Sequence, residues 1–279
     1  MEFLRSRGRA AIRGVRKRFC SVRLCAAWLM VFALTPAAAA TDFTDIWFIP
    51  QESGWGVNIV QSDSFLFATF FIYGSDKAPT WYTALLTFDG TRYAGGLYRT
   101  EGSFWANPWN PAEHPDAVRV GTASFAPGID AYHATLAYAV DGGGSVSKQI
   151  VRQTLTRIVL GGNYLGAQAG AYSNCATSSQ NGPYEDTFAL DVTHAVNGSA
   201  ALTFTYASGA TCTLSGNLAQ FGQLYDMPGA TYTCTGSLAF TTSAAVYELK
   251  ATAQGIEGRL AANLPSGCRE SANFSAVLK

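Results

Sequence analysis

The chain has 279 residues, with 19 basic and 19 acidic side chains and 48% hydrophobic residues. Its zero formal charge hides an asymmetry: the first forty residues hold 8 basic residues and 1 acidic one, which leaves 11 and 18, or −7, for the rest. An acidic remainder argues against nucleic acid and anionic lipid as partners.

The first forty residues read as a secretory leader. Arg5, Arg7, Arg9, Arg13, Arg16, Lys17, Arg18 and Arg23 form a basic opening. The apolar run from Leu24 to Leu34 is too short for a membrane span, which needs about 20 residues. Ala38-Ala39-Ala40 supplies small residues for cleavage. The expectation is removal after Ala40, no integral membrane segment afterwards, and a periplasmic or extracellular location.

Eight strands are predicted in the first half of the remainder, near 45–49, 55–61, 65–73, 80–88, 91–98, 118–126, 131–140 and 145–155. They are short runs of Val, Ile, Thr, Tyr and Phe cut by Gly, Asn, Asp and Pro, as in sandwiches and barrels. Side chains alternate along a strand. Strand 65–73 therefore puts Phe65, Phe67, Phe71 and Tyr73 on one face and Leu66, Ala68, Phe70 and Ile72 on the other. The next strand is likewise apolar on both faces, which predicts that both faces are covered, the outer one by the second domain, a second sheet, a partner subunit or a ligand. Segment 99–117 carries Trp105, Trp109 and three prolines and has no strand pattern; loops of this length are usually functional or disordered.

Composition shifts near residue 160. All five tryptophans beyond the leader (Trp47, Trp55, Trp81, Trp105, Trp109) precede that point, and Cys175, Cys212, Cys234 and Cys268 follow it. We therefore expect a tryptophan-rich β domain over 41–159 and a disulfide-containing β-barrel domain over 160–279. Strands are predicted near 163–168, 187–193, 200–206, 211–220, 230–235, 237–242, 245–253, 256–263 and 269–278, closing up-and-down. Cys212 and Cys234 share the inward parity. Cys175 follows the first strand and Cys268 opens the last, neighbours in a closed barrel. The pairs 212–234 and 175–268 are preferred among the three connectivities that four cysteines allow. No Cys-x-x-Cys pair occurs and only His114, His133 and His194 could join the cysteines, so tetrahedral zinc is not expected; no motif calls for a cofactor either.

Catalytic signatures are missing. The chain has no Gly-x-Ser-x-Gly elbow, His-Glu-x-x-His, Walker loop or dinucleotide turn. Glu52, Glu101, Glu113, Asp45 and Asp63 are the carboxylates from which a glycoside hydrolase pair would be drawn. His114 and His133 read as surface histidines, and His194 opens a turn. Trp55, Trp81 and Tyr82 read first as core, with ligand contact as the alternative. Trp105 and Trp109 divide evenly between clamping their loop and stacking on a ligand such as a sugar. With Asn58 these form the candidate ligand-binding set: Trp55, Asn58, Trp81, Tyr82, Trp105 and Trp109.

The stretch Glu52-Ser53-Gly54-Trp55-Gly56-Val57-Asn58, with Phe67-Ala68-Thr69-Phe70-Phe71-Ile72-Tyr73 and Pro79-Thr80-Trp81-Tyr82, resembles a group of exported bacterial proteins of uncharacterised function. Their motifs run E-S-G-W-G-x-N, F-A-T-W-F-x-Y and P-x-W-Y; Phe70 stands where the group more often has Trp. The resemblance covers most of the first domain, implies export, and brings no catalytic residues with it. The second domain has a fold-level likeness to small calycin-type barrels.

The sequence therefore reads as an all-β protein of two antiparallel barrel or sandwich domains, calycin-like barrels being preferred. It reads as an exported, non-catalytic binder of a small-molecule, glycan or protein ligand. The alternatives are a polysaccharide hydrolase and an envelope inhibitor or adhesion module.

Overall fold

The computed structural model describes residues 41–113 and 116–279; the predicted leader and His114 lie outside them. Eight strands close into the first barrel: β1 (Asp45–Phe48), β2 (Gly56–Ser62), β3 (Phe65–Tyr73), β4 (Pro79–Phe88), β5 (Tyr93–Arg99), β6 (Val118–Pro127), β7 (His133–Val140) and β8 (Gly144–Arg152). Every neighbouring pair is antiparallel, and β1 pairs with β8 to complete the ring. One short 3-10 turn, Pro111–Glu113, interrupts the long loop after β5.

The interior of this barrel is filled by side chains. Val57, Ile59, Leu66, Ala68, Phe70, Ala84, Leu86, Leu97, Phe125 and Leu136 alternate inward and are buried. Each fully buried Leu, Ile or Phe stabilises by about 1.5–3 kcal/mol relative to exposure. Trp47 is fully buried in an aromatic cluster, with Phe125 5.1 Å away edge-on and Phe43 5.3 Å from Phe125.

Of the four covers expected for the outer faces of β3 and β4, neither the second domain nor a second sheet supplies one. The inner face packs as anticipated, but Phe67, Phe71, Tyr73, Trp81 and Leu85 are exposed on the outside of the barrel. A closed barrel has a single interior, and the second barrel packs elsewhere. Trp81 is therefore not a core residue.

The second barrel comprises β9 (Gly162–Ser173), β10 (Gly182–His194), β11 (Ser199–Tyr206), β12 (Thr211–Asn217), β13 (Ala219–Phe221), β14 (Leu224–Thr235), β15 (Phe240–Ala251), β16 (Gly255–Asn263) and β17 (Arg269–Leu278). β12 pairs with β14 and β9 with β17, so eight strands close and the three-residue β13 is a side hairpin on β14. Phe188, Phe204 and Phe274 meet edge-to-face in its core. Both preferred disulfides, Cys175–Cys268 and Cys212–Cys234, are present.

The predicted strands 237–242 and 245–253 are one strand, β15. Its inward parity changes partway: Val246 is buried before Glu248 and Leu249 after it, across a register shift between Tyr247 and Lys250. Glu248 has φ +51°, in the left-handed region, and this bulge inverts the alternation that the sequence pattern assumed.

The barrels meet at the base of the first one. There Arg152, 3% exposed, donates from Nε to the Ala131 carbonyl (2.7 Å), and from Nη1 to the Thr44 carbonyl (3.2 Å) and Asp45 Oδ2 (3.1 Å). Its Nη2 donates to the Asp42 carbonyl, and its guanidinium lies 4.8 Å over the Trp47 ring. Asp45 Oδ2 also accepts the Gln223 N–H of the second barrel at 3.1 Å. Neighbouring Gly222 has φ +61°, and a Cβ there would fall 2.1 Å from that same Asp45 oxygen. Tyr132 stacks on Phe221 at 4.7 Å, and its hydroxyl accepts the Glu248 N–H at 2.9 Å.

Candidate functional site

The end of the first barrel away from this junction is built from segments 49–55, 74–78, 100–113 and 141–143. The first positions Glu52 and Trp55. Glu52 Oε2 accepts the Trp55 indole N–H at 2.9 Å and a short hydrogen bond from Lys148 Nζ. Lys148 lies 4.9 Å over the Trp55 ring centroid. Tyr73 closes the turn by donating to the Gly54 carbonyl at 2.8 Å, with Gly54 at φ +103°. Lys148 shares inward parity with Ile150, so its stem lines the barrel wall and its ammonium reaches the rim.

The electrostatics follow from these contacts. The Lys148 hydrogen bond holds the Glu52 carboxyl below its ordinary range. Burial, with the Glu52 charge nearby, pushes the Tyr138 phenol up. Tyr138 packs edge-on to Phe70 at 5.3 Å.

The loop above this rim is internally fastened. Asn110 Nδ2 donates to Glu113 Oε1 at 2.8 Å, and Asn110 Oδ1 accepts the Ala112 N–H at 3.1 Å. Trp105 is 88% exposed and Trp109 71% exposed, with the Phe104 ring 5.5 Å from that of Trp105. Most of each indole therefore faces away from the barrel.

The structure thus divides the candidate set. Trp55 and Tyr82 are half-buried against the upper core, and Trp105 and Trp109 lie on the loop at the same end. Asn58 and Trp81 are exposed on the outer wall. Among the carboxylates, Asp45 is sequestered at the junction and Asp63 lies in the turn between β2 and β3, both at the opposite end from Glu52. Glu101 pairs with Arg99 at 3.1 Å. His133 is exposed and bonds Asp130 at 2.9 Å, as expected of a surface histidine.

Sequence reasoning passed over Lys148, although a lysine at inward parity between Val146 and Ile150 was a usable signal. It also passed over Glu270 in the second barrel. Glu270 is 3% exposed and accepts a short hydrogen bond from the Tyr184 hydroxyl. Gln168 Nε2 reaches the same hydroxyl at 3.5 Å, and Tyr206 donates to Gln168 Oε1 at 3.2 Å. Tyr172 stacks on Tyr184 at 4.6 Å. Burial raises the Glu270 carboxyl and pushes Tyr172 up to about 12.

The folded protein holds the Glu270 proton more tightly than the unfolded chain does. Stability therefore falls as pH rises from the ordinary carboxylate range through the raised value. Glu270→Gln keeps an acceptor for Tyr184 and cannot ionise. Its melting temperature is expected to exceed that of the parent at pH 8, with the gap closing by pH 4. A parallel pH dependence in both proteins would contradict this.

A cleft of about 750 Å³ runs along the outside of the second barrel beside the junction. Its floor is Ala167, Ala169, Asn273 and Ser275. Four of its charges pair, Lys250 with Asp42 at 3.6 Å and Arg259 with Glu248 at 3.1 Å, and Glu185, Asp186 and Glu257 add further carboxylates to its lining. Among the described residues no His, Cys, Asp or Glu group could hold a metal ion, and no helix is long and apolar enough to cross a membrane.

No protein-family model and no curated protein matches the chain. Solved structures with some likeness include one from Bacteroides fragilis described as an outer membrane protein, at 12% identity and TM-score 0.30, covering 84% of this chain and 94% of that one. Another is the transferrin binding protein B of Neisseria meningitidis, at 12% identity and TM-score 0.30, covering 81% of this chain and 66% of that one. A third is a DUF3598-family protein of unknown function from Nostoc punctiforme, at 10% identity and TM-score 0.26, covering 84% and 93%. At these scores the likenesses carry no argument about function.

Proposed function

We propose that this is an exported, non-catalytic binding protein that takes its ligand at the free end of the first barrel, through Trp55, Trp105 and Trp109. One observation carries the reading: two indoles stand largely in solvent on a fastened loop, above a rim that holds a third under a lysine. Binding residues concentrate on loops held by a rigid scaffold. The filled barrel interior favours contact at the rim over an enclosed ligand. Glu52 and Trp55 belong to the motif shared with the exported bacterial group, and we propose membership of that group on the same residues. Two disulfides fit an oxidising compartment.

Neutral oligosaccharides, small apolar ligands and envelope extracts titrated into the exported chain are expected to change tryptophan emission. Trp105→Ala and Trp109→Ala should each weaken the response at least tenfold with unchanged melting temperature. If no ligand class moves the emission, and both variants keep every partner the parent captures, the reading is wrong. The cleft beside the junction supports a second reading, with the ligand on the second barrel. In that case Ala169→Trp, which would occupy the cleft, abolishes binding while the loop variants do not.

A further inference from the structure

The outer wall of the first barrel is uncharged over an unusual width. Strands β2, β3 and β4 contain no Asp, Glu, Lys or Arg at all. The cross-strand registers place their outward residues in rows: Gly56–Phe71–Trp81, Asn58–Thr69–Thr83–Tyr98 and Val60–Phe67–Leu85–Gly96. Two rows are apolar and the one between them is polar. Gly96 keeps the surface level, because the Tyr98 ring lies where a Cβ would sit, 2.7 Å from its hydroxyl.

Val60, Phe67, Phe71, Tyr73, Trp81 and Leu85 are each 40–56% exposed. With aromatic side chains offering about 150–250 Å² apiece, these six leave on the order of 600 Å² of apolar surface open. That equals the largest patch of an ordinary monomer, about 300–600 Å². With the polar row included it approaches the roughly 800 Å² per partner of a standard stable interface.

We propose that this wall is a self-association surface that seats the same wall of a second copy of the chain. A two-fold interface sets a patch against itself, so a patch of one net sign would meet the same sign, which an uncharged patch avoids. Beyond the first forty residues the chain carries −7, and this wall is a broad face where two copies approach without that repulsion. The middle row of Asn58, Thr69 and Thr83 offers donors and acceptors that a second identical row can satisfy and a hydrocarbon surface cannot. A closed barrel has no free edge to extend, so the contact is wall to wall, about 10 Å between sheets. The surface adjoins the rim proposed for ligand and shares only Tyr73 with it.

Sedimentation velocity of the exported chain from 1 to 100 µM tests this. The expected result is a species of twice the chain mass. Thr83→Arg and Leu85→Glu, each facing outward, are expected to weaken the dimer at least 100-fold with melting temperature unchanged. The uncharged pair Phe67→Ser/Phe71→Ser serves if the charged variants fail to fold. A parent that is monomeric at every concentration overturns the proposal, and so does a dimer that all these variants retain. A monomer whose wall residues are needed to hold neutral polysaccharide or phosphatidylcholine vesicles would assign the face to that partner and overturn it as well.

Discussion

Arg152→Met is expected to destabilise the protein by about 3–5 kcal/mol, the usual cost of removing one member of a buried ion pair. The methionine keeps the stem length and the contact with Trp47 but loses every donor. Asp45 is then left charged and 4% exposed at its side chain, holding only the Ile46 and Gln223 N–H groups. The Ala131, Thr44 and Asp42 carbonyls lose their donor together. Arg152→Lys should recover part of the loss, because an ammonium cannot span the same fork. The shift in denaturant midpoint measures both. A change within about 0.5 kcal/mol, typical of surface sites, would show that the network contributes little.

Loss of the Cys175–Cys268 bond is expected to cost more than loss of Cys212–Cys234. In the chain-restriction account the benefit grows with the loop closed, here 93 residues against 22. The corresponding figures are about 4–5 and about 3 kcal/mol. Paired alanine variants keep free thiols out of the comparison, and guanidinium midpoints read the order. The reverse order would place the benefit in the packing of Cys212 and Cys234, both within the core.

Much of the strand layout was legible because apolar alternation at period two is strong in this chain. The eight strands of the first half fall within a few residues of their predicted places, and the two disulfides are the pairs that parity and closure preferred among three connectivities. The alternation failed at Glu248, where a left-handed residue inserts a bulge that no composition rule anticipates. It left open what covers the wall: two-sided apolar strands imply a cover, and the fold of one chain does not supply it.

The site was half legible. Trp105 and Trp109 stood out through their proline-rich loop. Lys148, Arg152 and Glu270 were hidden in strands, yet each is a charge on an inward parity, and each marks a barrel end. Trp47, one of several buried rings of the first core, lies in a strand of only four residues, too short for alternation to mark its face.

Each ring is closed by its first strand meeting its last, β1 with β8 and β9 with β17. During synthesis or translocation, amino end first, β1 has a ladder partner on one side only until Arg152 has emerged. Such non-local closure is slow, and an open strand flank invites pairing with other chains. The early wait thus falls on β1, whose four residues and inward-facing Asp45 make it a poor template for a stranger.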